Sequence, residues 1–221
     1  ATSATSSPFS TTATSAGDSS RSTSPVDALG VNVLDSSGGL HLAWEDAPGA
    51  GDNALRHRYL VSPAADPSSG AITAFATTTT FSGQHLVMSG LDGADAFYAG
   101  FEQEDTAGVR DLFIRRRAAG SGANFDDVLR LTTTSDDTRL RGFGVTSAGR
   151  AMALGDEGAV PFVLFAVRET DGTLSGPFDV SRSSGTASVG LTLRVTPSGR
   201  AHAFWLSTFN GSMRDLLYTQ I

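Results

Sequence analysis

One pattern is written four times along this chain: a small turn followed at once by a short apolar strand. The copies read Ser37-Gly38-Gly39-Leu40-His41-Leu42-Ala43-Trp44, Asp95-Ala96-Phe97-Tyr98-Ala99-Gly100-Phe101, Ala148-Gly149-Arg150-Ala151-Met152-Ala153-Leu154 and Ser198-Gly199-Arg200-Ala201-His202-Ala203-Phe204-Trp205. A period of roughly 50 residues belongs to arrays of small units that cannot bury their apolar faces alone and must stack on a neighbour. A polar loop follows each copy, then a second apolar stretch: Asn53 to Leu60, Asp111 to Arg117, Pro161 to Arg168 and Asp215 to Gln220. A weaker strand comes next at Gly70 to Phe75, Asn124 to Leu131 and Gly176 to Ser181. Another precedes the turn, as at Val31 to Leu34, Phe143 to Val145 and Leu191 to Val195. With these strands lettered A to D, inner to outer, the chain is expected to be all-β, with no helix longer than two turns.

The fourth copy reaches Ile221 directly after its strand C, and Ser7-Pro8-Phe9-Ser10-Thr11-Thr12 matches Gly176-Pro177-Phe178-Asp179 in shape. An open array leaves unpaired strand edges and apolar faces at its ends, so one blade shared between both termini would close it into a ring. The expected architecture is therefore a β-propeller of four blades, each of four antiparallel strands, closed by the N-terminal strand completing the last blade. The alternative is an eight-bladed ring from two chains, with the monomeric ring favoured. Residues 1–221 form one domain in this reading. Residues 1–24 hold the closing strand and a Ser/Thr-rich linker, and the blades cover 25–80, 81–135, 136–187 and 188–221 with 6–13.

The A–B hairpins carry Asp or Thr and a Gly ahead of a strand that ends in Trp, as at Asp35 to Trp44 and Thr196 to Trp205. In this the chain resembles the broad sialidase-like and lectin-like group of β-propellers. The Asp-box of sialidases, Ser-x-Asp-x-Gly-x-Thr-Trp, is not matched. The resemblance implies that the B–C and D–A loops gather at one end of the channel.

Composition removes several kinds of chemistry. The chain has no cysteine, which excludes disulfides, thiolate metal sites and a cysteine nucleophile. All sixteen basic residues are arginine, so Schiff-base chemistry on lysine is excluded too; A-rich lysine codons make a GC-rich genome the simplest reason. A net charge of −7 argues against general nucleic-acid binding, which needs a basic footprint. The run Arg115-Arg116-Arg117 alternates across a strand and makes no continuous patch. No apolar stretch approaches membrane-spanning length. The Ser/Thr-rich surface and the start Ala1-Thr2-Ser3-Ala4, with the small-residue character of a processed terminus, lead to the expectation of an exported protein.

Ten of the 23 carboxylates fall in the B–C loops: Glu45, Asp46, Asp52, Glu102, Glu104, Asp105, Asp111, Asp156, Glu157 and Asp215. Such a rim would attract cations or supply hard oxygen ligands for Ca²⁺, or it would simply keep the loops solvated. No Asp-x-Asp-x-Asp-Gly spacing occurs, and no cofactor is expected. The loop from Leu206 to Arg214 adds Phe209 and Met213, and apolar residues in loops are often contact residues. The expected binding residues are Glu45, Asp46, Glu102, Glu104, Asp105, Asp156, Phe209 and Arg214.

His41 and His202 share one repeat position with Tyr98 and Met152, which marks a packing position rather than a metal site. The function expected is a non-catalytic extracellular binding or scaffold propeller for a protein partner or glycan. The alternative is a sialidase-like glycoside hydrolase or lyase at the channel mouth. That enzyme would draw on paired carboxylates, on Arg141 or Arg194, and on one of Tyr59, Tyr98 and Tyr218.

Overall fold

The computed structural model describes residues 31–46, 53–62, 64–66, 71–78, 87–106, 109–120, 124–133, 135–158, 162–181, 188–196, 198–209 and 213–221. They form fifteen strands and no helix. Sheet 1 holds β1 (Val31–Leu34), β2 (Leu40–Asp46), β3 (Asn53–Leu60) and β4 (Ile72–Thr78). Sheet 2 holds β5 (Val87–Leu91), β6 (Phe97–Thr106), β7 (Val109–Arg117) and β8 (Leu129–Arg130). Sheet 3 holds β9 (Thr138–Val145), β10 (Ala151–Glu157), β11 (Phe162–Arg168) and β12 (Leu174–Asp179). Sheet 4 holds β13 (Ser188–Val195), β14 (Ala201–Phe209) and β15 (Met213–Gln220) among the described residues. Each is an antiparallel meander, as the repeat predicts. The first strands β1, β5, β9 and β13 neighbour one another in series, which makes them the inner strands of a propeller-like arc. The expected closing strand at residues 7–12 lies outside the described residues, as does all of 1–30.

Every A–B hairpin is built the same way. The residue that opens it caps the amide four positions on: Asp35 accepts from Gly39 N at 2.6 Å, Asp92 from Ala96 N at 2.9 Å, Thr146 from Arg150 N at 3.0 Å and Thr196 from Arg200 N at 3.1 Å. The third residue after it has positive φ, with Gly38 at 84°, Asp95 at 61°, Gly149 at 86° and Gly199 at 98°. Glycine reaches that region without a Cβ clash, and Asp tolerates it. Asp95 also accepts the Ser36 amide of sheet 1 at 3.0 Å, tying neighbouring hairpins together.

Alternation along the second strands then divides each sheet into two faces. His41 and Ala43, Tyr98, and Met152 and Leu154 point forward to the next sheet. Phe97, Ala99 and Phe101, Ala151 and Ala153, and Ala201, Ala203 and Trp205 point back to the previous one. Three apolar cores result, one in each joint between consecutive sheets. The inner strands approach so closely that glycine is required. A Cβ on Gly142 would lie 2.5 Å from Leu193 Cβ and 2.9 Å from Leu193 N. Because backbone blocks that space, Gly142→Val is expected to cost about 1–3 kcal/mol by overpacking the joint between sheets 3 and 4. Chemical denaturation reads this directly, and an unchanged midpoint would refute the close approach.

The outer strand of sheet 2 is shorter than its sequence suggests. Only an isolated bridge between Arg117 and Phe125 and the two residues of β8 pair there, where Asn124 to Leu131 reads as one strand. The Asp126 carboxylate accepts the Arg116 amide at 2.7 Å, while its own amide donates to Arg116 O at 2.8 Å. A side chain that takes a ladder donor in this way interrupts the regular pairing.

Candidate functional site

Strands β2, β6 and β10 run further than alternating apolar residues suggest, reaching Asp46, Thr106 and Glu157. Glu45, Glu102 and Asp156 are therefore strand residues at one repeated register position, paired with Leu55, Leu112 and Val163. They share the forward parity of His41, Tyr98 and Met152, and all three are buried. This corrects the expectation of a solvated acidic rim, because these carboxylates lie in or beside the joints between sheets. Asp111 is buried as well, where it accepts Thr132 Oγ1 at 2.9 Å and pairs with Arg130. Glu104 is half-buried opposite Arg110. The side chains of Asp46, Asp105, Phe209 and Arg214 lie outside what the structure describes. Their backbones show that β14 extends to Phe209 and β15 starts at Met213, so most of the expected Leu206 to Arg214 loop is paired strand.

The richest chemistry sits at the B–C end of the joint between sheets 2 and 3. One carboxylate oxygen of Glu102 accepts the Leu140 amide of β9 at 2.6 Å, a hydrogen bond from one sheet to the next. Its other oxygen lies 3.7 Å from Arg110 Nη1. Arg110 in turn is 3.7 Å from Asp137, which pairs with Arg139 at 3.1 Å. Arg141 donates through Nε to Asp156 at 2.9 Å. Burial pushes the Glu102 carboxyl up to about 7, opposed by the Leu140 amide and the charges of Arg110, Arg141 and Arg139. A carboxyl raised this far keeps its proton to a higher pH than a free glutamate does. Arg139 and Arg141 are exposed and Arg110 is partly so.

A β-bulge places Arg141. Between β9 and β10 the register passes from Leu154 opposite Gly142 to Gly155 opposite Leu140, leaving Arg141 as the extra residue. Bulges re-aim side chains in this manner and are frequent beside functional sites. An irregularity recurs at the corresponding place in sheet 4, between Val189 and Thr192 of β13. The alternating Arg139-Leu140-Arg141 was the available signal, although periodicity alone does not disclose a bulge.

A second polar group lies at the hairpin end of the joint between sheets 1 and 2. His41 Nδ1 and His57 Nε2 are 3.1 Å apart, so one ring donates and the other accepts. Both rings are buried against Phe97, with centroids at 5.0 and 4.7 Å. Tyr59 donates to Asp35 at 2.7 Å beside them. Burial drives His41 down to about 4 and His57 to about 3, helped by the positive charge of Arg117, and both are neutral at pH 7. Sheet 4 repeats the geometry at the same spacing, His202 Nδ1 lying 2.8 Å from the Tyr218 hydroxyl. His57 is not among the site residues expected from the sequence. Its signal was this sixteen-residue spacing between matched positions. Among the described residues no three His, Asp or Glu side chains gather as a metal would require.

No family model matches this chain, and no curated protein does. Solved structures do. A polysaccharide lyase of family PL25, an ulvan lyase bound to -[GlcA(1-4)Rha3S]-, superposes with a TM-score of 0.54 at 11% identity, over 86% of this chain and 54% of its own. Another PL25 ulvan lyase structure gives 0.55 at 10% identity with the same coverage. A protein of unknown function from Dyadobacter fermentans DSM 18053 gives 0.51 at 12% identity, over 87% of this chain and 65% of its own. The chain thus spans about half the length of the lyases, with 54% of each covered. At such identities the likeness is one of fold, and that fold is β-propeller-like.

Proposed function

We propose that this chain is a non-catalytic binding module, working outside the cell, whose B–C end takes an anionic glycan. The observation that carries the reading is the cluster of Arg110, Arg139 and Arg141 about the buried Glu102 and Asp156 at the joint of sheets 2 and 3. Guanidinium groups suit carboxylates and sulfates because their fork of N–H donors matches paired oxygens. The overall charge of −7 does not forbid this. Charges more than about 8 Å away are largely screened at physiological salt, and within that range Arg110, Arg139 and Arg141 each already face a carboxylate, so an acidic sugar would bind by sharing or displacing those contacts. Glu102 and Asp156 act beneath them as orienting groups, while Glu45, Glu104, Asp46, Asp105, Phe209 and Arg214 belong to the same end of the array. A fold neighbour bound to -[GlcA(1-4)Rha3S]-, an acidic sugar chain, supports the choice of ligand.

Affinity electrophoresis and calorimetry against sulfated, uronate and neutral polysaccharides test this. The expected result is retention by acidic polymers that weakens with salt, and a loss of about tenfold or more in Arg139→Ala/Arg141→Ala. Arg139 is exposed, but Arg141 holds the buried Asp156, so the double variant is expected to lose about 1–3 kcal/mol of stability and binding is compared at a temperature where it remains folded. Equal retention by neutral polymers, or an unaffected variant, would overturn the proposal. A second reading is favoured by one observation, the near-neutral pKa of Glu102, which suits a general acid or base. Progressive shortening of an acidic glycan that Glu102→Gln abolishes would establish it.

A further inference from the structure

The three internal joints use the same positions in each sheet, and among the described residues this leaves two half-joints, one on sheet 1 and one on sheet 4. Leu55, Leu112 and Val163 occupy one forward-facing position in the third strands of sheets 1, 2 and 3, and are 5%, 1% and 0% exposed. Leu216, paired with Leu206 at the matching position of sheet 4, is 68% exposed. His57, Ile114 and Phe165 hold the next forward position at 1%, 0% and 1%, whereas Tyr218 there is 51% exposed. Tyr218 is nevertheless held by its own sheet. It bonds His202 and packs against Phe204 with centroids 4.9 Å apart, joining the two rings in one aromatic face.

The complementary half lies on the back of sheet 1. Phe97, Ala151 and Ala201 are buried back-facing residues, as are Ala99, Ala153 and Ala203. Their counterparts Leu40 and Leu42 are only half-buried. Leu91, Val145 and Val195, which end the inner strands, pack into the cores of their joints, but the matching Leu34 is 56% exposed. Repeat arrays ordinarily finish in polar outer faces for solubility. Here both end faces keep the apolar character of the internal joints.

We propose that the forward face of sheet 4 docks onto the back face of sheet 1 of a second copy of this chain, head to tail. Continuity with the three internal joints argues for this occupant. The uncovered forward face is built to receive a back face, and the uncovered back face described in this molecule is that of sheet 1. A heterologous contact of this kind forms a ring when its rotation closes, and two copies joined twice would give eight sheets. The proposal is independent of ligand binding at the B–C end.

Light scattering and sedimentation of the full chain across a concentration series test it. A two-chain mass is expected for the wild type. Leu216→Glu and Leu34→Glu alter exposed side chains on opposite halves, and each alone should give one-chain mass with unchanged circular dichroism. Tyr218→Arg serves as a second variant on the same face as Leu216. Equal mixing of Leu216→Glu with Leu34→Glu leaves one joint intact, so a two-chain species should reappear, weaker than wild type by about tenfold or more. Wild type that stays monomeric at every concentration, as a self-closed ring would, overturns the proposal. So do association that survives both variants and a mixture that remains monomeric.

Discussion

Lowering the pH from 7.5 to 5 is expected to remove about 4 kcal/mol of stability through the buried pair His41 and His57. Both pKa values are depressed in the fold, to about 4 and about 3, against 6.5 for a free side chain. Below 6.5 the unfolded chain takes up protons that the folded chain refuses, so the contribution is whole above that pH and is lost as pH falls. Since pH 5 lies about 1.5 units below the free value of 6.5, each ring contributes about 2 kcal/mol. The suitable control is His41→Met/His57→Phe, which installs the pair that sheet 3 carries at the same positions, Met152 and Phe165. Urea denaturation of both proteins at the two pH values gives the difference. If wild type and control lose stability in parallel, the histidines are not neutral and buried as described.

Glu102 should behave in the opposite sense. Its folded pKa, about 7, stands above the free value of 4.5, so folding favours its protonated form. The contribution is full below 4.5 and is lost as pH rises through about 7, a change of about 3 kcal/mol. Glu102→Gln keeps an oxygen for the Leu140 amide and cannot ionise. Relative to this variant, wild type should weaken steadily from pH 5 to 8, as read by denaturation midpoints. A difference independent of pH would show that Glu102 is ionised in the fold. Between pH 5 and 7 the histidines and Glu102 pull against each other. The wild-type profile alone is therefore flatter than either component, and only the variants separate them.

The sheets were legible because a period-2 pattern returned four times with turn chemistry attached. The Asp or Thr that opens each hairpin and the positive-φ residue three positions later are local devices, and local devices show in sequence. The ends of the strands were harder to read. Glu45, Glu102 and Asp156 look like the start of acidic loops because charge ordinarily marks solvent. Parity carried the better information: His41, Ala43 and Glu45 alternate without a break. What makes burial of Glu102 tolerable is the Leu140 amide of the next sheet, and a contact between residues 38 positions apart leaves no local trace. The bulge at Arg141 is hidden for a related reason, since an extra residue is defined only against the partner strand. The same holds for the outer strand of sheet 2, which Asp126 cuts short by bonding the backbone opposite.

Joints that always set a forward face against a back face also bear on how such a chain can change length. Duplication of one repeat would insert a sheet with a forward half and a back half of its own. The new unit would meet its neighbours through surfaces of the kind already in use, while the faces of the first and last sheets stayed as they were. Copy number in this architecture is thus open to gain and loss by simple genetic slippage. The angle between successive sheets, rather than any particular residue, then decides when a growing array meets its own tail.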